Sequence, residues 1–187
     1  LFYLNASKSR ITYAYGILME KGDRLMYSDY YKSRDYYAKS LDLFVISRNY
    51  LFNALEIKYK NFVQKMRNKE EIAFEKEDID YLYWLSGSLA GSIQASQGDP
   101  QYLIDLPNIK WLLESAITVD PNWENGTLSA AMMSVYLNDL SGDKNAQKTA
   151  LSYFDLAEKQ SNGLNASIYV TLAENYAVSK QDKKLFI

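Results

Sequence analysis

Apolar side chains recur at helical spacing along almost the whole chain. Ile11, Tyr15 and Leu18 lie three or four residues apart, and a similar series runs from Tyr36 to Val45. This spacing places apolar side chains on one face of an α-helix, and no stretch of five residues alternates convincingly as a β-strand does. The pattern predicts an all-α fold. The predicted helices cover 2–27, 29–47, 48–68, 78–97, 101–119, 124–139, 144–160 and 165–179.

The predicted helix ends coincide with residues that cap or interrupt helices. Asp99 and Asp120 each precede a proline, and a carboxylate N-cap followed by proline is typical of a helix start. Glycine in Ser141-Gly142-Asp143 and in Asn162-Gly163 favours the left-handed conformation that ends a helix. Short connections of this kind predict antiparallel helix pairs.

Three segments share a spacing of bulky and small residues. They begin at Ser33, Ile109 and Ala150. A bulky residue follows four positions later, at Tyr37, Leu113 and Phe154. A small one follows seven positions later, at Ser40, Ala116 and Ala157. In tetratricopeptide repeats, such small residues let two helices approach while the bulky residue fills the gap between them. The spacing therefore predicts an antiparallel helical-hairpin solenoid of tetratricopeptide-like repeats with expanded loops.

The composition excludes several classes of chemistry. The 187 residues include no cysteine and no histidine, which removes disulfides, thiolate ligands and the commonest general base. Because 21 basic and 23 acidic residues give a net charge of −2, binding to a nucleic-acid backbone is disfavoured. Glu174 lies in an uncharged stretch and is one candidate buried general acid, but an ion pair is the commoner role for such a glutamate. Without a nucleophile–base pair or paired carboxylates, we predict a non-enzymatic protein with no cofactor or metal.

Two further stretches have simple explanations. Basic residues from Lys58 to Lys69 are followed at once by acidic residues from Glu70 to Asp80. Cations near one helix C-terminus and anions near the next N-terminus are favoured by the helix dipoles, so we interpret this stretch as a solvated turn. The longest uncharged run, from Tyr81 to Gly98, is too polar for a membrane-spanning helix.

Runs along the chain also resemble one bacterial protein family. They include Asp29-Tyr-Tyr-Lys-Ser-Arg-Asp-Tyr-Tyr-Ala-Lys-Ser-Leu-Asp-Leu-Phe44, Leu106-Pro-Asn-Ile-Lys-Trp-Leu-Leu-Glu-Ser-Ala116 and Tyr169-Val-Thr-Leu-Ala-Glu-Asn-Tyr-Ala-Val-Ser-Lys-Gln-Asp-Lys-Lys-Leu-Phe186. In their order, these runs are similar to the T-component (TatT) of the tetratricopeptide-repeat-associated tripartite ATP-independent periplasmic (TRAP) transporters. The resemblance implies a periplasmic lipoprotein, homotrimeric, that partners the transporter's solute-binding subunit.

The resemblance also shapes what we expect of the chain's extent. It implies a single tetratricopeptide-like domain over 1–187, with N-terminal helices and a lipid-attachment segment expected upstream of Leu1. Leu1 is preceded by no signal peptide or starting methionine, so we expect a trimmed N-terminus. Any membrane association would then depend on that upstream lipid anchor.

The candidate binding residues lie on the first helices of the predicted repeats. The first-helix segments 81–97, 125–138 and 165–179 contain no lysine or arginine. A helix with one face in water would not need to exclude these cations, so we expect the second face to be covered by a ligand, a subunit or a solenoid turn. The residues expected to face a shared groove or channel are Tyr83, Trp84, Gln94, Met132, Tyr136, Tyr169 and Tyr176. Packing in the core is the alternative for each of them.

Two functional hypotheses follow. The first is a transport accessory protein that docks the solute-binding subunit and offers apolar passages for a hydrophobic small-molecule ligand. The second is a generic tetratricopeptide-type adaptor for protein–protein interaction, or a structural scaffold. An adaptor that captures a partner's terminus usually needs a clamp of Lys, Arg and Asn on successive first helices, and the absence of these cations favours the first hypothesis.

Overall fold

Every regular element in the described part of the chain is a helix. The computed structural model describes residues 1–139, 143–178 and 181, which form α-helices, 3-10 turns and two π-helical segments, with no strand among them. The all-α prediction is confirmed. The chain divides into two compact units, Leu1–Ser115 and Ala116–Ile187. The single domain expected from the resemblance stays a prediction.

The first unit consists of three long helical segments, at 2–25, 30–58 and 79–96, and several shorter helices. They are α1 (Phe2–Tyr13), the first π segment (Ala14–Met19), α2 (Glu20–Leu25), α3 (Tyr30–Lys58), α4 (Phe62–Asn68), α5 (Ile79–Ser96), α6 (Pro100–Leu103) and α7 (Leu106–Val119). The boundary between the units falls within α7. Asp99 caps α6 by accepting a hydrogen bond from the Gln101 amide at 3.0 Å, with Pro100 in the first turn, as predicted.

Helix α3 lies antiparallel to both α1 and α5. The Ser7 hydroxyl of α1 donates to the Ser47 carbonyl at 3.2 Å, whereas Ser33, at the other end of α3, donates to the Gly22 carbonyl of α2 at 2.7 Å. Helix α5 runs parallel to α1. These three segments form the core of the first unit, with α3 at its centre.

The buried face of α3 alternates small and large side chains. Its members are Ser33, Tyr37, Ser40, Phe44, Ser47, Leu51 and Leu55. The small residues let the neighbouring helices approach, and the large ones fill the space between them. The Phe44 ring packs so closely on α5 that a Cβ atom added to Gly91 would lie 2.5 Å from it.

The predicted helix boundaries are wrong in two parts of the first unit. The predicted helices 29–47 and 48–68 form one helix as far as Lys58, and the chain turns at 59–61 instead. Asn61 makes that turn in the left-handed conformation, with a φ of 61°, so no glycine or proline marks it. The predicted helix 101–119 is interrupted after α6, because Pro107 favours the first turn of a new helix.

An ionic cluster joins the end of α3 to the start of α5. The buried Asp78 carboxylate accepts hydrogen bonds from the Lys58 ammonium at 2.8 and 2.9 Å and from the Glu75 amide at 2.8 Å. It also accepts one from the Tyr59 hydroxyl. Burial and this bond to Asp78 raise the pKa of Tyr59 to about 12. The cluster fixes the first turn of α5 beside the end of α3.

The lack of lysine and arginine in α5 has a structural cause. Nine of its residues are buried, and they face both α1 and α3. A charged side chain on either of these faces would be buried without a partner, which is costly. The first unit itself therefore covers the second face of α5.

The second unit contains α8 (Thr127–Leu137), α9 (Ala146–Gln160), α10 (Ala166–Leu172) and a second π segment (Ala173–Ala177). Helices α8 and α9 are antiparallel, since Ser129 near the start of α8 donates to the Gln160 side chain at the end of α9 at 2.7 Å. A 3-10 turn at Trp123–Gly126 precedes α8, so the helix start predicted from Asp120-Pro121 is wrong. Asn162 and Gly163 adopt positive φ after α9, as predicted.

Some predictions fall outside the described residues. Ser141 and Gly142 of the predicted turn are among these, and so is position 179 at the end of the last predicted helix. The small repeat residues Ser40, Ala116 and Ala157 are all fully buried. This agrees with close packing at these positions, while the arrangement of the repeats as a solenoid stays a prediction.

Candidate functional site

An open groove lies between α1 and α5 in the first unit. Trp84 of α5 forms one wall and is half-buried. The groove has a volume of about 530 Å³. Its other lining residues come from α1 and the first π segment, and they are Lys8, Ser9, Thr12, Tyr13, Gly16 and Ile17. Tyr13 is 50% and Ile17 43% exposed, so two large apolar side chains face solvent beside the indole.

Small residues keep this groove open. A Cβ atom added to Gly16 would meet no other atom within 4 Å, and Ser9 and Thr12 precede it on the same face of α1. Gly16 lies within the first π segment, a helix form that is rare and is frequently found at functional sites. The α1 wall therefore has two large apolar side chains beside a row of small ones.

Tyr15 attaches the first π segment to α5. Its hydroxyl donates a hydrogen bond to the Gly87 carbonyl at 3.1 Å, and its ring lies 4.7 Å from the Phe44 ring. Burial raises the pKa of Tyr15, with a smaller contribution from Tyr83, so the hydroxyl keeps its proton and remains a donor. This bond holds the two walls of the groove at a fixed separation.

The rim of the groove carries a paired charge. The Lys8 ammonium lies 2.6 Å from the Asp80 carboxylate and 5.8 Å from the centre of the Trp84 ring. Because Asp80 balances the charge of Lys8, the groove has no net charge to offer a ligand. Its chemistry is that of an aromatic and aliphatic surface.

Of the predicted residues on α5, two lie together and one lies apart. Tyr83 packs edge-on against Trp84, with ring centres 5.5 Å apart. Gln94 is exposed and lies ten residues after Trp84, which is roughly 15 Å along the helix axis. Gln94 is therefore not part of the α1–α5 groove.

The other four predicted residues belong to the second unit. Met132 is fully buried in α8 and packs in the core. Tyr136 stacks on Tyr153, with ring centres 5.8 Å apart and planes 17° apart. Tyr169 is 41% exposed and donates a hydrogen bond to Glu158 at 2.7 Å. Tyr176 is half-buried in the second π segment. A groove or channel shared by all seven residues stays a prediction.

Comparison with protein families identifies the chain. The sequence model described as TRAP transporter T-component (TAtT) matches residues 2–187. The chain belongs to the TRAP transporter T-component family. The resemblance seen in the sequence is thereby confirmed, and membership gives the chain an accessory role in a TRAP transporter. No curated protein matches the chain.

Two groove residues of this T-component were missed in the sequence. Tyr13, at the end of α1, and Ile17, in the first π segment, are four residues apart and lie on a different face from the buried Ile11 and Leu18. An apolar pair at i and i+4, separate from the core face, is the pattern in the sequence that would have predicted them.

The described residues of this T-component also bear on other classes of site. Among them, no helix is long and apolar enough to cross a bilayer. Nor does that part of the chain hold a group of three or more acidic side chains placed to bind a metal ion. Glu174, weighed as a buried general acid, is exposed on the second π segment.

Proposed function

We propose that this T-component is a periplasmic, non-enzymatic subunit that docks the solute-binding subunit of its TRAP transporter. In this proposal the α1–α5 groove is the contact for an apolar group, either a side chain of that subunit or a hydrophobic ligand. The observation that carries the proposal is the exposure of Tyr13 and Ile17 beside Trp84 in an open groove. Membership of the T-component family indicates that the partner belongs to a TRAP transporter.

The size and composition of the groove support this proposal. Its volume falls in the range of about 300–1,000 Å³ that is usual for small-molecule sites, and such sites are mostly apolar with few polar groups. Tyrosine and tryptophan also provide much contact area at protein interfaces. The neutral rim at Lys8 and Asp80 favours an uncharged apolar group over an anion.

The test compares two isoleucines that are similarly exposed. Ile17 in the groove is 43% exposed, and Ile46 on α3, outside the groove, is 40% exposed. Calorimetry would measure binding of the solute-binding subunit from the same transporter to Ile17→Asp and Ile46→Asp. We expect Ile17→Asp to weaken binding about tenfold or more, since interface anchors commonly contribute over 1.4 kcal/mol, and Ile46→Asp to leave it unchanged.

The ligand hypothesis needs a separate measurement. Tryptophan fluorescence during titration with decanol would report an apolar chain that enters beside Trp84. Saturable binding that is lost in Ile17→Asp and kept in Ile46→Asp supports a hydrophobic ligand in the groove. Binding of the subunit without binding of decanol would leave docking as the function. If Ile17→Asp affects neither measurement, the groove is not the functional site.

We also propose that the full-length protein is a lipid-anchored homotrimer with tetratricopeptide-like repeats in a solenoid. The family resemblance supports the anchor and the trimer. The buried small residues at Ala116 and Ala157 and the antiparallel α8–α9 pair support the repeats. Mass spectrometry of the protein isolated from native membranes would test the anchor by detecting an acylated N-terminal peptide.

The second candidate function is a general tetratricopeptide-type adaptor or scaffold. The α8–α9 hairpin favours it, because helical hairpins of this kind mostly present surfaces to other proteins. An adaptor would retain its partner when the apolar character of the α1–α5 groove is lost. The Ile17→Asp comparison therefore separates the two candidates.

A further inference from the structure

A second groove, of polar character, lies between the end of α3 and α4. Its volume is about 510 Å³. The lining residues are Phe52, Asn53 and Glu56 from α3 and Asn61, Val63, Gln64, Arg67 and Asn68 from α4 and its N-cap. Four side-chain amides and one guanidinium therefore face a single open space.

The walls of this groove are held rigidly from behind. Phe62 and Met66 on the opposite face of α4 are fully buried. The Phe62 ring lies 6.5 Å from Phe52 and 6.3 Å from Trp111, measured between ring centres. Helix α4 is thus anchored to the core, and its polar face is presented in a fixed position.

The groove contains one anion, Glu56, and one cation, Arg67, and the two form no ion pair with each other. Glu56 accepts backbone hydrogen bonds from Asn61 at 2.8 Å and from Val63 at 3.2 Å, so both of its carboxylate oxygens bind the start of α4. In the described part of the chain, Arg67 has no ion pair, and the side-chain amides of Asn53 and Gln64 have no hydrogen-bond partner. The groove offers free donors, free acceptors and one unpaired cation.

We infer that the α3–α4 groove binds an extended polypeptide segment of another protein that carries a carboxylate side chain. Each side-chain amide has a donor and an acceptor, which complement the carbonyl and N–H of a peptide group. The Arg67 guanidinium binds a carboxylate through two parallel hydrogen bonds. Phe52 supplies an apolar contact for the side chain on the other side of the segment.

The length of the groove matches a short peptide. Helix α4 has seven residues and is therefore roughly 10 Å long. Three residues of an extended chain span a similar distance at about 3.3 Å each. The site differs from a clamp on the first helices, because Arg67 lies on α4, outside the segments that lack lysine and arginine. It is also independent of the α1–α5 groove.

The test is a titration of the isotope-labelled protein, followed by NMR. One probe is a pentapeptide of alternating alanine and glutamate with both ends blocked. The second has glutamine in place of glutamate, and the third is succinate. The side-chain amide signals of Asn53, Asn61 and Gln64 report binding in the groove itself. Arg67→Gln removes the cation, and Arg24→Gln removes an exposed arginine elsewhere, on α2.

We expect the glutamate peptide to shift the three side-chain amide signals and to bind about tenfold more weakly to Arg67→Gln, since a hydrogen bond to a charged group contributes about 1.5 kcal/mol or more. The glutamine peptide should bind equally to both proteins, and Arg24→Gln should behave as the natural protein. Asn53→Ala should weaken both peptides.

Three results would overturn the inference. The first is the absence of any shift in the side-chain amide signals. The second is succinate binding as tightly as the glutamate peptide, which would indicate a site for free anions. The third is an equal loss in Arg24→Gln, which would indicate general electrostatic attraction. Circular dichroism of each variant confirms that the exposed substitutions leave the fold intact.

Discussion

Two glycines on α5, Gly87 and Gly91, have different surroundings. They are four residues apart on α5, a small-xxx-small spacing that permits close helix contact. Only Gly91 makes that contact, because the Phe44 ring of α3 occupies the position of its missing side chain. A Cβ atom at Gly87 would meet nothing within 4 Å.

The two glycines therefore give opposite predictions. Gly91→Ala should lower the free energy of unfolding by about 1–3 kcal/mol, because the new methyl group overlaps the Phe44 ring. Gly87→Ala should raise it by about 0.5–1 kcal/mol, because alanine favours the helix and meets no obstacle. Urea denaturation of both variants checks this. Equal effects of the two substitutions would contradict the close contact between α3 and α5.

Asp78 predicts a dependence of stability on pH. Burial alone would raise its pKa, but hydrogen bonds from Lys58, Tyr59 and the Glu75 amide outweigh burial and hold the pKa below its usual value. The folded state therefore binds the Asp78 proton more weakly than the unfolded state does. This stabilisation is present above about pH 4 and is lost as the pH falls through the lower folded value.

Asp78→Asn should remove that contribution. We expect the variant to lose about 1–3 kcal/mol at pH 7, the usual cost of losing hydrogen bonds to a charged group, and to change less than the natural protein between pH 5 and 2. Urea denaturation at several pH values provides the measurement. Glu77→Gln, an exposed neighbour, is the control. If Asp78→Asn loses as much stability on acidification as the natural protein, Asp78 is not the group responsible.

At the scale of the helices, a boundary could be predicted where a capping residue or glycine marks the turn in the sequence. The helix over 78–97 was predicted to within one residue, since Asp78 and Gly98 mark its ends. The turn at 59–61 was missed because Asn61 adopts the left-handed conformation in place of glycine. Its position is fixed by the burial of Phe62 against Phe74 and Trp111, contacts that local sequence does not reveal.

The α8–α9 hairpin depends on the close approach of Gly126 to α9. Gly126 has a φ of 89°, and a Cβ atom there would lie 2.8 Å from Gln160 and 3.2 Å from the Ala157 carbonyl. Gly98 has a φ of 92° and open space around it. Gly126→Ala and Gly98→Ala thus impose the same backbone strain, but only Gly126→Ala also causes overlap.

We expect Gly98→Ala to lower the free energy of unfolding by about 1–2 kcal/mol, from strain alone. Gly126→Ala should lower it by about 1–3 kcal/mol more, because α9 must shift. Hydrogen exchange of the α9 amides would locate the effect. Similar losses in both variants would show that α9 does not pack closely on Gly126.

At the scale of the whole molecule, the sequence predicted the family, but it predicted only some of the residues that line the α1–α5 groove. Trp84 and Tyr83 were predicted because they lie on a helix without lysine or arginine. Tyr13 and Ile17 were not predicted. Their spacing marks an apolar pair, but it does not show that the pair contacts Trp84 from about 70 residues away. Met132 was expected in a channel, yet packing against the core of the second unit also excludes charge from α8.

The proposed trimer gives a prediction at the same scale. Light scattering should give a mass three times that of the 21.5 kDa chain, independent of protein concentration. The Ile17→Asp variant, altered in the α1–α5 groove, should keep this mass if the groove serves the transporter partner alone. A constant mass of one chain for the natural protein would contradict the trimer, and dissociation caused by Ile17→Asp would assign the groove to contacts between subunits.

The parallel pairing of α1 with α5 has a consequence for synthesis on the ribosome. Tyr15 bonds to a residue 72 positions later, whereas Ser129 and Gln160 in the second unit are 31 apart. Contacts that close longer loops form more slowly. While the chain emerges, α1 and α3 can pair long before α5 is available, and the parts of Phe44 and of α1 that α5 covers in the folded protein stay exposed during that interval. We therefore expect the nascent chain to expose an apolar surface until α5 is available, and binding by a chaperone at that stage would limit aggregation.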